Sequence, residues 1–214
     1  MKRASINTKP VPAGAGARPG RRAAAGGTPG KISVSVVRDL DALLEAWSIR
    51  ALVYMGEQDC PYAEEFDGND LSGATHLIVR IGQEPVGVMR IRWFADFAKI
   101  ERVAIRPPHR SGEASAALVK AALELAARKG YRRVLGHIQA RLLRYWMRTA
   151  GVRVRQGRPS FRFSGFDYVE IERDLLPLDN ALSADTPALV LLRPEGDWDR
   201  PGVLERKPAP GRGR

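Results

Sequence analysis

The chain has 214 residues, 44% of them apolar, with one cysteine and a formal charge of +11. That length suits one domain of about 150–170 residues plus tails. Cys60 alone excludes an internal disulfide and fits a reducing compartment, and no apolar run approaches the roughly 18–20 residues of a membrane helix.

The charge is unevenly placed. Residues 1–30 carry Lys2, Arg3, Lys9, Arg18, Arg21 and Arg22 without an acid, and 206–214 carry Arg206, Lys207, Arg212 and Arg214, again without one. Removing these ten cations leaves a body near +1, so the basicity does not by itself mark a nucleic-acid binder. Both tails are rich in Gly, Ala or Pro and are expected to be disordered. Residues 1–30 have no signal-peptide core, and their prolines and glycines disfavour an amphipathic transit helix, so the expected location is cytoplasmic. The folded body is expected over 31–175, with a C-terminal extension at 176–205 packed on it.

From Lys31 the body reads, in order, as follows. ISVSVV is an alternating strand. Asp39 caps a helix with Leu40, Leu43, Leu44, Trp47 and Ala51 on one face, running to about Met55. The segment 56–70 holds Glu57, Asp59, Glu64, Glu65, Asp67 and Asp70 and no Lys or Arg. It is read as a loop, either a solvated surface or a wall that attracts a protonated amine. His76–Ile81 and Pro85–Trp93 form a hairpin across Gly82-Gln83-Glu84. Ile100–Ile105 is a strand, and a long helix ends at Gly130. Arg133–Ile138 is a strand, Ala140 to about Ala150 a helix with Leu142, Leu143, Trp146 and Met147 inward, and Ser160–Phe163 with Phe166–Ile171 a second hairpin. Ala188–Leu192 reads as a short extra strand.

The chain is organised around 99–130. Strand Ile100–Ile105 is broken by Pro107 and Pro108, and His109-Arg110 lead to Ser111, the expected N-cap of the long alanine-rich helix. A strand that passes through a basic turn into a helix N-terminus is an anion site. Free amides, the helix dipole and the Arg110 guanidinium all point the same way. The alternative is an ordinary strand–turn–helix corner.

This segment resembles the phosphate-binding stretch of the GNAT acyltransferase superfamily, Arg/Gln-x-x-Gly-x-Gly/Ala before a helix. Arg110 falls on the first position, and Glu113 and Ser115 stand where small residues are usual. A one-residue shift would give His109-x-x-Gly112-x-Ala114. The element order from about 32 to 174 is similar to that superfamily's. The resemblance implies an α/β (α+β) single domain, with a mixed central sheet of about seven strands flanked by helices. It also implies an acyl-CoA donor, acetyl-CoA foremost, with its pantetheine in the gap between the strand ending at Ile105 and the one starting near Arg133. Val103, Ala104 and Ile105 would offer it backbone groups, while Arg110, Ser111, Gly112, Glu113, Ala114 and Ser115 would hold its phosphates. The thioester would end near Glu101.

Glu101 is the expected base, on the side of Val103 and Ile105, with burial raising its pKa; the alternative is an ion pair with Lys99 or Arg102. Tyr145 is the candidate acid for the leaving thiolate, or else a packing aromatic. It stands two residues from where the superfamily's tyrosine falls relative to Gly151.

A narrower resemblance covers 50–102. Arg50, Tyr54, Glu65-x-Asp67-x-x-Asp70, Gly87-x-x-Arg90 and Arg102 are similar to the landmarks of acyl-homoserine-lactone synthases and N-acyl amino acid synthases. That likeness implies an acyl carrier protein as alternative donor. The substrate-binding set is expected to be Glu65, Asp67 and Asp70 of the acidic segment together with Arg50, Arg90 and Arg102, which the narrower likeness implies, and the acceptor a small primary amine.

From Leu125 to Phe166 there are eleven Lys or Arg and no acid. This is read either as a solvated face or, against the acidic 57–70, as the anionic donor's side of a polarised body. His76, His109 and His137 lack metal-ligand spacing, and no metal is expected. A Rossmann oxidoreductase is excluded because Val37-Arg38-Asp39 offers no glycine-rich turn. A polyanion- or RNA-binding module remains the non-enzymatic alternative, though without the aromatic interleaving single-strand binders use, so nucleic acid is not expected.

Overall fold

The computed structural model describes residues 30–110 and 112–206. The expected tails, apart from Gly30 and Arg206, and the expected cap Ser111 lie outside them. β1 (Ile32–Val36) leads to α1 (Leu40–Arg50), where the Asp39 carboxylate accepts the Ala42 amide at 2.8 Å. The helix continues as a π-helical turn, Ala51–Met55, and then α2 (Gly56–Gln58). A short α3 (Tyr62–Glu65) precedes β2 (Thr75–Ile81), β3 (Glu84–Trp93) and β4 (Ala98–Ile105). Then come α4 (Glu113–Arg128), β5 (Arg133–Gln139), α5 (Leu143–Ala150) and β6 (Arg153–Val154). β7 (Phe161–Phe163), β8 (Phe166–Asp174) and α6 (Ala188–Leu191) close the order.

The strands form one eight-stranded sheet in the order β1-β2-β3-β4-β5-β8-β6, with β7 also on β8. Every pairing is antiparallel except β4–β5. The β7–β8 turn uses Ser164 at φ 44° and Gly165 at φ 79°, the two successive left-handed residues of a two-residue hairpin. Period-two alternation in β3 separates two cores. Met89 and Ile91 join Leu77, Leu118, Ala122 and Val134 on the α4 side, while Val88 joins Ala46, Ile49, Val53 and Ala104 on the α1 side.

Three details differ from the expectations. The buried stripe of α1 is Ala46, Ile49 and Arg50, continuing to Val53, not the stripe of Leu40 and Leu44, which are 65% and 48% exposed. Apolar residues occur around most of this helix, and its rotation follows Arg50, whose ion pairs need that side inward. Met147 is exposed as well, because α5 is short and buries Ala150. Ala188–Leu191 is a helical turn, not a strand: after Pro187 its amides bond back to Pro187 and Ala188 rather than to a sheet edge.

The C-terminal extension is pinned by its charges. Arg38 pairs with Asp197 at 2.6 Å, Lys129 with Glu195 at 2.5 Å and Arg128 with Asp199 at 3.0 Å, and Trp198 is buried beneath them. No described helix is long and apolar enough to cross a membrane.

Gly87 of β3 pairs with Ile105 of β4. A methyl group there would overlap the Ile105 Cδ1 atom and approach the Ala104 carbonyl to 3.0 Å. Gly87→Ala is therefore expected to cost about 1–3 kcal/mol in urea denaturation. Adding Ile105→Val, which removes the Cδ1 atom, should return part of that loss; no recovery would place the strain in the two remaining contacts, with the Ala104 carbonyl and Val79 Cγ1.

Candidate active site

β4 runs beside β5 for three residue pairs only, Ala98↔Val134, Lys99↔Leu135 and Ile100↔Gly136. Beyond Ile100 and Gly136 the strands diverge and leave a cavity of about 480 Å³. Its walls include Val103 and Ile105 of β4, Ile138 of β5, and Tyr145 and Trp146 of α5. Backbone groups on strands that part company lack ladder partners, and side chains take two such carbonyls of β4, Tyr54 that of Val103 and Arg110 that of Ile105.

At one end of the cavity α4 begins. Gly112 occupies the N-cap position at φ 102°, a left-handed conformation that suits glycine, and Ala114 and Ser115 are buried in the first turn. The Ser115 hydroxyl donates to the Gly112 carbonyl at 3.0 Å and contacts the Tyr145 hydroxyl. Tyr145 thus stands at the helix N-terminus. Arg110 donates from Nε to the Ile105 carbonyl at 2.8 Å and from Nη2 to both Glu57 oxygens at 2.9 and 2.8 Å. The Glu113 side chain lies in the first turn, where the dipole favours it. Arg141 reaches Gln139 Oε1 at 2.8 Å and lies over the Phe166 ring.

The second feature is a bulge. Arg90 pairs with Glu101 and Val88 with Ala104, so Arg102 and Val103 together oppose Met89. Arg102 takes φ 53°, a strained value for a long side chain. The bulge breaks the alternation on which the sequence reading relied. Glu101 lies on the α1 face with Arg90, Val88 and Ala104, whereas Val103 and Ile105 pack toward α4. The Val103 carbonyl accepts a hydrogen bond from the Tyr54 hydroxyl at 2.8 Å, and burial pushes that phenol's pKa up.

On the α1 face four carboxylates meet three guanidiniums and an ammonium. Arg50 donates to Glu65 and Asp70, each at 2.5 Å. Arg90 reaches Asp70 at 2.8 Å, Asp67 at 2.7 Å and Glu101 at 2.7 Å. Arg102 lies 3.3 Å from both Glu65 and Asp67, and Lys99 lies 2.8 Å from the second Glu101 oxygen. Arg50 and Glu65 are fully buried and Arg90 nearly so.

The site therefore corrects two expectations. The acids of 56–70 are not a free cationic trap, because arginines from α1, β3 and β4 neutralise Glu65, Asp67 and Asp70, and Glu57 is paired with Arg110. Nor does burial lift Glu101 toward neutrality. Burial pulls its pKa up, but Lys99 and Arg90 outweigh it and hold the carboxyl below its ordinary range. Asp67 and Asp70 are held low in the same way by Arg90 and Arg50 against the cost of burial. Burial prevails only at Glu65, whose pKa rises.

Sequence reasoning missed His137, Gln139, Arg141 and Tyr168, which also line the cavity. Their signal lies in the β5–β8 register, His137↔Glu170 and Gln139↔Tyr168, which no local spacing carries.

The acetyltransferase (GNAT) family matches residues 40–151. An uncharacterized N-acetyltransferase of Bacillus subtilis, YjcF, is 33% identical over 95 residues, 44% of this chain and 66% of its own length, just under two thirds. Among solved structures, a putative N-acetyltransferase from Lactobacillus plantarum superposes with a TM-score of 0.61 at 22% identity, covering 68% of this chain and 99% of that one. An acyl-CoA N-acyltransferase from Pseudomonas aeruginosa gives 0.60 at 23%, covering 67% and 99%. The fold is shared as well with the AHL synthase LasI, at 0.58 and 14% identity over 69% of this chain and 91% of that one.

The ion cluster is directly testable. Arg50→Ala leaves Glu65 and Asp70 facing each other without their shared guanidinium, and is expected to cost about 3–5 kcal/mol in urea denaturation at pH 7. Adding Glu65→Gln removes one stranded charge and should recover part of that loss. Asp67 and Asp70 are depressed in the folded state, so their contribution is present above their unfolded pKa, near 3.8, and fades as pH falls toward the folded values.

Proposed function

The chain belongs to the acetyltransferase (GNAT) family, and on that premise we propose that it moves an acyl group, acetyl foremost, from acyl-CoA to a small primary amine. The observation that carries this reading is the three-pair contact of β4 and β5, which opens a cavity ending at the N-terminus of α4. In the proposal, pantetheine lies in the gap against the backbone of Val103, Ala104 and Ile105. The amides of Gly112, Glu113, Ala114 and Ser115 face the diphosphate, with Arg110 turning from Glu57 to join them. Ser111 belongs to the same proposed set but lies outside the described residues.

The residues divide the labour. Holding the amine against the thioester carbonyl supplies up to about 7–11 kcal/mol of the barrier reduction. Arg50, Glu65, Asp67, Asp70, Arg90 and Arg102 are proposed to act on the acceptor by fixing the wall above it rather than by offering it free charge. Glu101, ionised and clamped, is proposed to hold the incoming ammonium. Tyr145 is proposed to protonate the leaving thiolate, within reach of Ser115 as a hydroxyl partner.

A second reading draws on that arginine–carboxylate cluster, which follows the landmark spacing of the acyl-homoserine-lactone and N-acyl amino acid synthases. There the donor would be a longer acyl chain on acyl carrier protein. Displacement of bound acetyl-CoA by octanoyl-CoA or an octanoyl carrier protein separates the two readings.

Arg110→Ala removes a charge-assisted contact worth roughly 1.5–3 kcal/mol and should weaken acetyl-CoA binding more than tenfold with the fold intact. Glu113→Gly should tighten it, because a carboxylate beside a diphosphate repels. Isothermal titration calorimetry reads both, and an unchanged Arg110→Ala affinity would leave the segment an ordinary strand–turn–helix corner.

A further inference from the structure

We propose that His137, oriented by Glu170, takes the proton from the attacking amine. The inference rests on the acyl-transfer reading and adds to it a residue that no local motif signals.

Geometry places the ring at the reaction. The pair Lys99↔Leu135 sets β4 and β5 in parallel register, so Glu101 and His137, each two residues on, share the α1 face just where the strands part. His137 lines the cavity with its side chain 35% exposed, which leaves room for a substrate atom. Its Nε2 lies 3.5 Å from Glu170 Oε2, directly across the β5–β8 pair. Phe161 stands edge-on to the ring at 5.1 Å and limits its rotation. Glu170 is in turn held by Arg155 at 2.5 Å, with Arg158 at 3.9 Å, so its carboxylate is ionised and fixed. An ionised carboxylate beside Nε2 selects the tautomer with its proton there and leaves the Nδ1 lone pair as the acceptor.

The other titratable groups of the cavity are committed. Each Glu101 oxygen is engaged, one by Arg90 and one by Lys99. Glu57 is bound to Arg110, Tyr54 donates to the Val103 carbonyl, Tyr145 meets Ser115, and the Tyr168 hydroxyl accepts from Gln139 at 3.4 Å. The charged groups facing the imidazole are Lys99 and Glu101 from β4 and Glu170 from β8. Burial lowers its pKa from 6.5, Lys99 lowers it further, and Glu170 and Glu101 pull the other way, so the ring is neutral at pH 7 and able to accept.

The step balances. The ammonium form of the acceptor gives one proton to Nδ1. The freed nitrogen lone pair attacks the thioester carbonyl carbon, the C–N bond forms, and the carbonyl electrons move to oxygen. As they return, the C–S bond breaks and CoA leaves as thiolate. The Tyr145 hydroxyl gives its proton to that sulfur and is reprotonated through water by the second N–H proton, and the imidazolium releases its proton to solvent. Amide, free CoA thiol and one proton result.

The decisive measurement is a histidine-ring titration by long-range nitrogen–proton NMR on the unmutated chain, with and without acetyl-CoA. His137 is expected as the Nε2–H tautomer with a midpoint below 6.5, its resonances shifting when acetyl-CoA binds. Glu170→Gln removes a group that raises the pKa, so the midpoint should fall further, and Glu170→Asp should restore much of it. In turnover with acetyl-CoA and phenethylamine as probe amine, His137→Gln should lose about a hundredfold or more in kcat and the acid limb of the pH profile, with acetyl-CoA affinity within twofold. An Nδ1–H tautomer, or an acid limb that survives His137→Gln, overturns the assignment. If acetyl-CoA binds with an affinity that depends on Arg110 while these fail, only the role of His137 falls. If acetyl-CoA does not bind at all, the acyl-transfer reading falls with it. Because the titration is read on the unmutated chain, it decides the case even where a variant unfolds.

Discussion

The site depends on a contact that stops. β4 and β5 pair in parallel over three residues and then diverge, and this early end of the ladder turns a continuous sheet into a sheet with a slot. Two features hold the geometry. Gly136 lets the strands approach where they still touch, since a Cβ there would sit 3.3 Å from the Ile100 carbonyl. The bulge at Arg102 and Val103 then bends β4 away, with the strain at Arg102 offset by its contacts to Glu64, Glu65 and Asp67. Were the pairing to continue toward Ile105, the cavity would vanish, and with it the room in which Tyr54 and Arg110 reach the Val103 and Ile105 carbonyls.

The buried ion cluster is the counterpart of that slot on the α1 face. Taking charges out of water costs several kcal/mol per ion, so such a cluster is weak evidence for stability and better evidence that a specific geometry is being held. Arg90 links Asp67 and Asp70 of the loop before β2 to Glu101 of β4, and Arg50 links α1 to the same loop. The loop that would roof an acceptor is thereby tied to the strand that would carry the donor. Movement of one is resisted by the other, which is what placing two reactants requires.

Most of the fold was legible because it is written in local periodicity and in turn residues. The alternating strands, the Asp39 cap, the Gly130 stop and the Ser164-Gly165 hairpin all follow from neighbours within a few positions. What escaped was set by pairing partners far along the chain. The rotation of α1 depends on acids 15 and 20 residues from Arg50. The face of Glu101 depends on a bulge that alternation does not foresee, and its pKa depends on Arg90 from the neighbouring strand. Seen as sequence, 57–70 has acids and no bases; in three dimensions arginines from three elements reach it. His137 was visible as a residue and silent as a site, since its partner Glu170 lies across a sheet pairing.

The charge of the chain shows the same limit from another side. Eleven cations between Leu125 and Phe166 look like a continuous basic face, yet β8 cancels a good part of it: Arg153 pairs with Glu172 and Asp174, Arg155 with Glu170, and Arg133 with Asp174. Among the described residues, five of these cations, Arg132, Arg141, Arg144, Arg148 and Arg162, have no carboxylate within ion-pair reach, and three of the five lie on or next to α5, which lines the cavity through Tyr145 and Trp146. Of these, Arg141 lines the cavity that also reaches the start of α4, so its charge and the positive pole of that helix act on the same space. The basic surface that the fold leaves unpaired is therefore smaller than the run of cations in the sequence suggests, because pairing partners on β8 and in the C-terminal extension lie outside that run.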